Sequence, residues 1–330
     1  MIRSEVVELL GVRGEAQQEL FQRARAVRRR SFGDGAVMRG VIEVASACVQ
    51  NCSYCPMRTD NRMSRYIYRA DRIVELARHV HDAGIRTVSL QAGDIPRTTQ
   101  TVGEAIPEIR HLFSGDVDIL LVLGDKSREE YAYLREQGAT SYILKHETAD
   151  AQLHRQHRFY PLEERLSRLD DLLSLGYRVG SGTIVGLPGQ TLEILAEDIL
   201  LAQSLGVHMC SASPFVPAAG TPLAEAEPGD VDTTLNALAI MRLVMPSALI
   251  PSVSALQKQA PGAQALGFAA GANVITVNFT PDGDQANYPI YGSDRFIVGL
   301  DYAAGVLRGA GLRPDVRQSE PRPAAARARG

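Results

Sequence analysis

The chain has 330 residues, 45% hydrophobic and 22% charged, which is ordinary globular composition for one large domain or two of medium size. A net charge of −3 gives no reason to expect nucleic acid or an acidic membrane as partner, and no apolar run is long enough to span a bilayer. Charged residues from Arg3 to Glu15 speak against a signal peptide, and few, clustered cysteines fit a reducing cytoplasm.

Residues 16–30 read as a helix with Leu20, Phe21, Ala24 and Val27 on one face. Arg23, Arg25, Arg28, Arg29 and Arg30 read as a solvated basic face. Gly33-Asp34-Gly35 then breaks the chain. Strand-like runs follow at Met38–Ala45, Arg86–Gln91, Val117–Leu123, Ser141–His146, Val179–Val185, His208–Ser213, Ile250–Ser254 and Asn273–Asn278. Helical patterns lie between them, at Arg72–Ala83, Val102–Phe113, Arg128–Gln137, Leu162–Leu175, Leu192–Leu205, Thr233–Val244 and near Ala263–Ala270. A last one covers about Asp294–Gly309. Several strands are continuous apolar runs, as in parallel sheets covered on both faces. Strand–helix alternation over this length predicts an α/β fold, a (βα)8 TIM-type barrel, with a doubly wound open sheet as the alternative. The expected organisation is an N-terminal helical extension at 1–35, the barrel at 36–312 and a disordered Pro-, Arg- and Ala-rich tail at 313–330. In barrels the active site lies at the C-terminal ends of the strands.

After the first strand come Cys48, Cys52 and Cys55, three of the chain's four cysteines. A closed zinc site needs four ligands, and a disulfide would leave one of the trio over. Three thiolates suit a four-iron cluster in which one iron lacks a protein ligand. A zinc loop with a distant fourth ligand, or inert buried thiols, remain open on the residues alone.

The spacing C-x3-C-x2-C with Tyr54 before the last cysteine resembles the signature of the radical S-adenosylmethionine (radical SAM) superfamily. The resemblance implies a [4Fe–4S] cluster on Cys48, Cys52 and Cys55, with SAM chelating the open iron through its amine and carboxylate. One electron from the reduced cluster then cleaves SAM to methionine and a 5′-deoxyadenosyl radical, which takes hydrogen from substrate. The cofactor carries that chemistry and the protein positions it.

Further motifs extend the resemblance over roughly residues 16–312, to the group of biotin synthase, the [FeFe]-hydrogenase maturase HydE and the methylornithine synthase PylB, nearest HydE. Gln91-Ala92-Gly93-Asp94 stands where a Gly-Gly-Glu-like turn meets the SAM amine, with Ala92 and Asp94 as departures. In Lys145-His146-Glu147-Thr148, the resemblance implies that Glu147 meets SAM and that Lys145, an arginine in HydE, meets substrate or the SAM carboxylate. Arg165 matches an arginine that reaches a SAM carboxylate. The run Gly186-Leu187-Pro188-Gly189-Gln190-Thr191 follows a strand that passes the adenine, making Val185 and Leu187 its apolar neighbours, and Thr191 suits a helix cap. Tyr54 completes the cofactor set. Lys145, Tyr288 and Tyr291 are the candidate catalytic residues, joined in the pocket by Lys258 and Asn278.

The implied function is radical chemistry on a small polar, amino-acid-like substrate. The electron donor would be a flavodoxin or ferredoxin, with neither nucleic acid nor membrane as partner. Alternatives are sulfur insertion in the biotin synthase manner, or a SAM-binding iron–sulfur protein without turnover. Sulfur insertion needs ligands for a second cluster. Beyond Cys55 only Cys210 remains, and His208 on the same strand is the sole histidine past residue 157. A single cluster is therefore expected.

Overall fold

The computed structural model describes residues 1–315. Its sheet is built around β1 (Gly35–Ala45), whose apolar run is buried along nearly its whole length. β1 pairs in parallel with β2 (Thr87–Ala92) on one side and with β7 (Val274–Asn278) on the other. The sheet continues from β2 through β3 (Asp118–Val122), β4 (Ser141–Ile143) and β5 (Arg178–Val185) to β6 (Met209–Pro214), all parallel.

The curled sheet meets its other edge without a full strand. Leu249 bridges Met209 of β6, and Pro251 bridges Val274 of β7. The sequence suggested a strand at Ile250–Ser254. Pro251 has no N–H for a ladder, and a helix, Ser254–Gln259, starts where the strand would continue. The expected barrel is thus present, with a seam of isolated bridges in place of one strand. A short strand unforeseen from sequence, β8 (Arg313–Asp315), pairs with Gly35–Val37 of β1. It lies in the segment expected to be disordered; the rest of that segment, 316–330, lies outside the described residues.

The helices that follow the strands are α3 (Ala70–Asp82), α4 (Arg97–Leu112), α5 (Arg128–Gln137), α6 (Ala151–Arg158), α7 (Leu162–Ser174), α8 (Leu192–Ser204) and α9 (Val231–Val244). Then come α10 (Ser254–Gln259), α11 (Ala263–Ala269), α12 (Asp282–Gln285) and α13 (Leu300–Gly309). Caps fix several starts. Ser127 and Glu130 form a capping box on α5, and Thr191 accepts the Ile194 N–H at 3.3 Å. No described helix is long and apolar enough to cross a membrane.

Two N-terminal helices, α1 (Arg3–Gly11) and α2 (Gly14–Phe32), pack on α8 and α9. Arg13 reaches Asp230 at 2.7 Å, and Asn236 donates to the carbonyls of Leu10 and Val12. Leu20, Phe21 and Ala24 face inward as the periodicity predicts, but the stripe continues through Arg28, while Val27 is only half-buried. One of the arginines assigned to a solvated face is therefore buried.

Candidate active site

A cavity of about 380 Å³ opens at the C-terminal ends of the strands and runs down into the barrel. That size suits a small ligand. Cys48, Cys52 and Cys55 all line it as free thiols. Burial pushes all three thiols up, Cys55 to about 12, and a bound metal would favour their thiolate forms. Among the described residues no three His, Cys, Asp or Glu side chains converge on a single metal-ion position. Thiols spread around one cavity suit ligands to different irons of one cluster.

The cysteine loop is held by its neighbours. The Asp94 carbonyl accepts the Val49 N–H at 2.8 Å, and its carboxylate takes the Gln50 amide at 2.9 Å. Lys126, from the loop after β3, meets the same carboxylate at 3.2 Å, with both side chains largely buried. Gly93 is obligatory here. A Cβ on it would meet the Ala47 carbonyl at 2.2 Å and the Cys48 Cβ at 2.7 Å. From the other side, Ser53 bonds His157 Nδ1 at 2.7 Å, and His157 Nε2 lies 3.1 Å from the Pro188 carbonyl. That carbonyl can only accept, so Nε2 carries the proton and Nδ1 accepts from Ser53.

Glu147 sits just past β4 in a left-handed conformation, φ 65°, which a non-glycine residue adopts at a cost of about 1–3 kcal/mol. The strain is held by the surroundings. Its N–H donates to the Gly182 carbonyl at 3.0 Å, and its carbonyl accepts from Ile184 N and from Thr183 Oγ1. Behind it, fully buried Asp198 accepts from Ala149 N, Thr148 Oγ1, Thr183 Oγ1 and Gln190 Nε2, so one carboxylate ties the β4 and β5 loops together. Burial still pushes the Asp198 carboxyl up, to about 7. His146 of the same motif is buried against Ser181 and stays neutral, pulled down to about 3 by burial.

Glu147 and Arg165 line the cavity, and each keeps a buried polar atom without a partner: Oε2 of Glu147 and Nε of Arg165. Arg165 pairs with Asp125 at 3.1 Å. Arg158, at the end of α6, donates to the Tyr160 hydroxyl at 2.6 Å and to the Tyr54 hydroxyl at 3.3 Å. Two guanidiniums thus stand at this end of the cavity with the carboxyl groups of Asp125 and Glu147, on the side of the cysteines.

Deeper down, Lys145 donates to Ser213 Oγ at 3.2 Å. Gln91, Asn278, Tyr288 and Tyr291 also line the cavity. Asn278 donates to Glu43 at 3.1 Å, and the buried Glu43 carboxylate pairs with both terminal nitrogens of Arg295. Arg295 also lies 5.4 Å from the Tyr288 ring centroid, close enough for a cation–π contact.

Three expected site residues lie elsewhere. Val185 packs in the main core, because alternation along β5 turns Ile184 to the cavity instead. Leu187 is buried in a small cluster with Ile184 and Phe215 that backs Tyr54. Lys258 pairs with exposed Asp294 outside the cavity. On β6, Met209, Ser211 and Ser213 border the cavity with buried Cys210, while His208 is exposed at the start of the strand.

Sequence reasoning passed over Arg158, Lys126, Asp198 and the Glu43–Arg295 pair. Glu43 carried a usable signal: a carboxylate in an otherwise apolar parallel strand needs a buried partner. Arg158 had none, since the helix that presents it is only eight residues long.

A parallel barrel with three free thiols on the loop after its first strand, next to unpartnered buried donors and acceptors, suits a metal cluster with a small polar ligand beside it. Comparison agrees. The model of the family described as the Radical SAM superfamily matches residues 42–202. The [FeFe] hydrogenase maturase subunit HydE of Thermotoga maritima is 37% identical over 277 residues, 83% of this chain and 79% of that one. The biotin synthase of Anaeromyxobacter sp. strain K is 29% identical over 274 residues, 79% of this chain and 74% of that one. A crystal structure of methylornithine synthase (PylB) superposes with a TM-score of 0.84 at 23% identity, covering 95% of this chain and 94% of that one, and so shares the fold. The chain belongs to the radical SAM superfamily. It is an enzyme related to HydE, and its cofactors are a [4Fe–4S] cluster and SAM.

Proposed function

We propose that the enzyme takes hydrogen from a small polar, amino-acid-like molecule held in the barrel, and that the outcome is rearrangement, fragmentation or addition without sulfur insertion. The observation that carries this reading is the continuity of the cavity. The thiols, Glu147 and Lys145 line one space, and Asn278 and Tyr291 line the same space. When bound, the cluster and SAM supply a one-electron cleavage that yields methionine and a hydrogen-abstracting radical.

In this reading Cys48, Cys52 and Cys55 hold the cluster. Gly93 lets the β2 turn approach it, with Gln91 beside it. Glu147 Oε2 accepts from the SAM amine, and Arg165 with Arg158 faces its carboxylate. Tyr54 and Ile184 flank the nucleoside. Lys145 offers a point charge to a substrate carboxylate, while Asn278, Tyr288 and Tyr291 orient the rest. On β6 the only cysteine or histidine is Cys210, and His208, just before the strand, is exposed, which favours a single cluster. The reductant would be a flavodoxin or ferredoxin of the cytoplasm.

Anaerobic reconstitution should give about four irons per chain, the content of one cubane. Dithionite and SAM should then yield 5′-deoxyadenosine, faster in the presence of the right amino-acid-like compound and with deuterium carried from it into the product. No cleavage by cluster-loaded protein would refute the reading, as would a second cluster species lost in Cys210→Ala. Lys145→Met should weaken substrate-stimulated turnover roughly ten- to a hundredfold, the worth of one charge-assisted hydrogen bond.

A further inference from the structure

Far from the cysteines, α2, α11 and α13 enclose an open groove of about 580 Å³. Its α13 wall is one helical face, Tyr302, Gly305, Val306 and Gly309, and the two glycines leave the space empty. The α11 wall carries Leu266, half exposed, with Ala265 and Ala269. The α2 wall carries Arg25 and Arg28.

Arg28 is the unusual element. It is only 6% exposed, and its Nε and one terminal nitrogen are buried with no hydrogen-bond partner among the described residues. Among the described residues no acid pairs with it. Asp34 acts on it only at longer range and is engaged by Arg29 at 3.8 Å. Arg242, buried behind it, adds a second positive charge and spends its own donors on the neutral acceptors Gly271 O, Pro246 O, Ala248 O and Asn273 Oδ1. Arg25 is engaged with the Ala269 carbonyl at 3.0 Å. A guanidinium taken out of water without a partner is costly. Here that cost is kept at the wall of a groove whose other walls are apolar or bare.

We propose that this groove is a binding site for a small amphiphilic anion, with one carboxylate or phosphate group received by Arg28 and an apolar stem lying between Leu266 and the Gly305–Gly309 face of α13. A planar guanidinium fork suits both oxyanions. The apolar walls select against a bare ion. The chain's own segment 316–330 is a poor occupant on charge, with four arginines against one glutamate. The site is separate from the barrel mouth and independent of the reaction proposed there.

The test titrates full-length, cluster-loaded protein with octanoate, octyl phosphate, octanol and inorganic phosphate, read by calorimetry. One or both amphiphilic anions should bind, and whichever binds more tightly identifies the headgroup. Octanol and inorganic phosphate should bind at least about tenfold more weakly, since each lacks one of the two contacts. Arg28→Met should lose the anion by a similar factor, yet melt no lower than the parent, because it removes an unpaired buried charge. Gly305→Leu keeps Arg28 but fills the groove, and should also lose binding while remaining folded. The anion should raise the melting temperature of the parent and of neither variant. Octanol binding as tightly as octanoate, unchanged binding in Arg28→Met, or failure of both anions to bind at millimolar concentration would overturn the assignment.

Discussion

The two halves of the barrel mouth are held in different ways. The loops after β1 to β5 converge on a few buried side chains: Asp94 joins three loops, Asp198 joins two, and His157 clamps Ser53 to Pro188. The half built from residues 249–299 rests on fewer such side chains among the described residues, chiefly Glu43 of β1, which gathers Asn278 and Arg295. A seam of bridges stands for a strand, Gln259 and Gln264 each reach one backbone carbonyl, and one buried pair, Glu43–Arg295, ties the late loop to β1. A site for a fixed cofactor must be preorganised from several directions at once. A surface that meets a particular substrate is free to differ between relatives so long as its few anchors persist. The difference fits the proposed division, with the cofactor in the first half and selectivity in the second.

The sharpest way to break this picture is at the thiols. Cys48→Ser, Cys52→Ser or Cys55→Ser should each eliminate the cluster and SAM cleavage while the apo barrel stays folded, as read by iron content, 5′-deoxyadenosine and circular dichroism. Cys210→Ser should keep both. A full cluster in Cys52→Ser would remove the first half from its assigned role.

The second half should fail at its anchor. Arg295→Met leaves Glu43 buried and unpaired, and should lower stability by about 3–5 kcal/mol. The double variant Glu43→Gln with Arg295→Met should recover much of that loss in urea denaturation. Equal losses in the single and double variants would show that the pair anchors nothing.

Asp198 sharpens the first half through pH. Its folded-state carboxyl is raised to about 7, so between the ordinary carboxylate range and about 7 the folded state holds a proton that the unfolded chain has released. Stability should therefore fall as pH rises through that window and level off above it. Asp198→Asn should flatten this part of the profile, measured as denaturation midpoint against pH. An unchanged slope would mean that other groups set it.

The smallest effect is expected at Lys258. Its partner Asp294 is 78% exposed at the side chain, and exposed pairs contribute at most about 1 kcal/mol. Lys258→Met should leave both melting temperature and substrate-stimulated turnover nearly unchanged. A large loss of turnover alone would bring Lys258 back into the substrate pocket.

The same division governs what the sequence could disclose. Strands β1 to β6 were legible because several are apolar runs and all alternate with helical patterns, and the cysteine loop because its spacing is stringent. Glu147 and Gly93 were found through motifs, though the strain at the one and the close approach at the other appear only in three dimensions. Val185 was misplaced relative to Ile184 by one step, since a two-residue period does not state which face is inward. The strand expected at Ile250–Ser254 is reduced to bridges because Pro251 removes a ladder donor, although Ile250 and Val253 supply the apolarity of a strand. Arg28 was assigned to solvent by its charge, although it sits one turn on from Ala24 in the buried stripe.

The Glu43–Arg295 contact joins residues 252 positions apart in the chain. Closing so large a loop is entropically costly before any contact rewards it. During synthesis the three thiols emerge early, whereas the strand that carries Glu43 lacks its counter-charge until nearly the whole chain has been made. The cysteines are therefore made well before the barrel can close. Cluster loading should accordingly be a late event in this protein's life, and the Glu43–Arg295 closure is a natural marker of when the chain becomes competent to receive it.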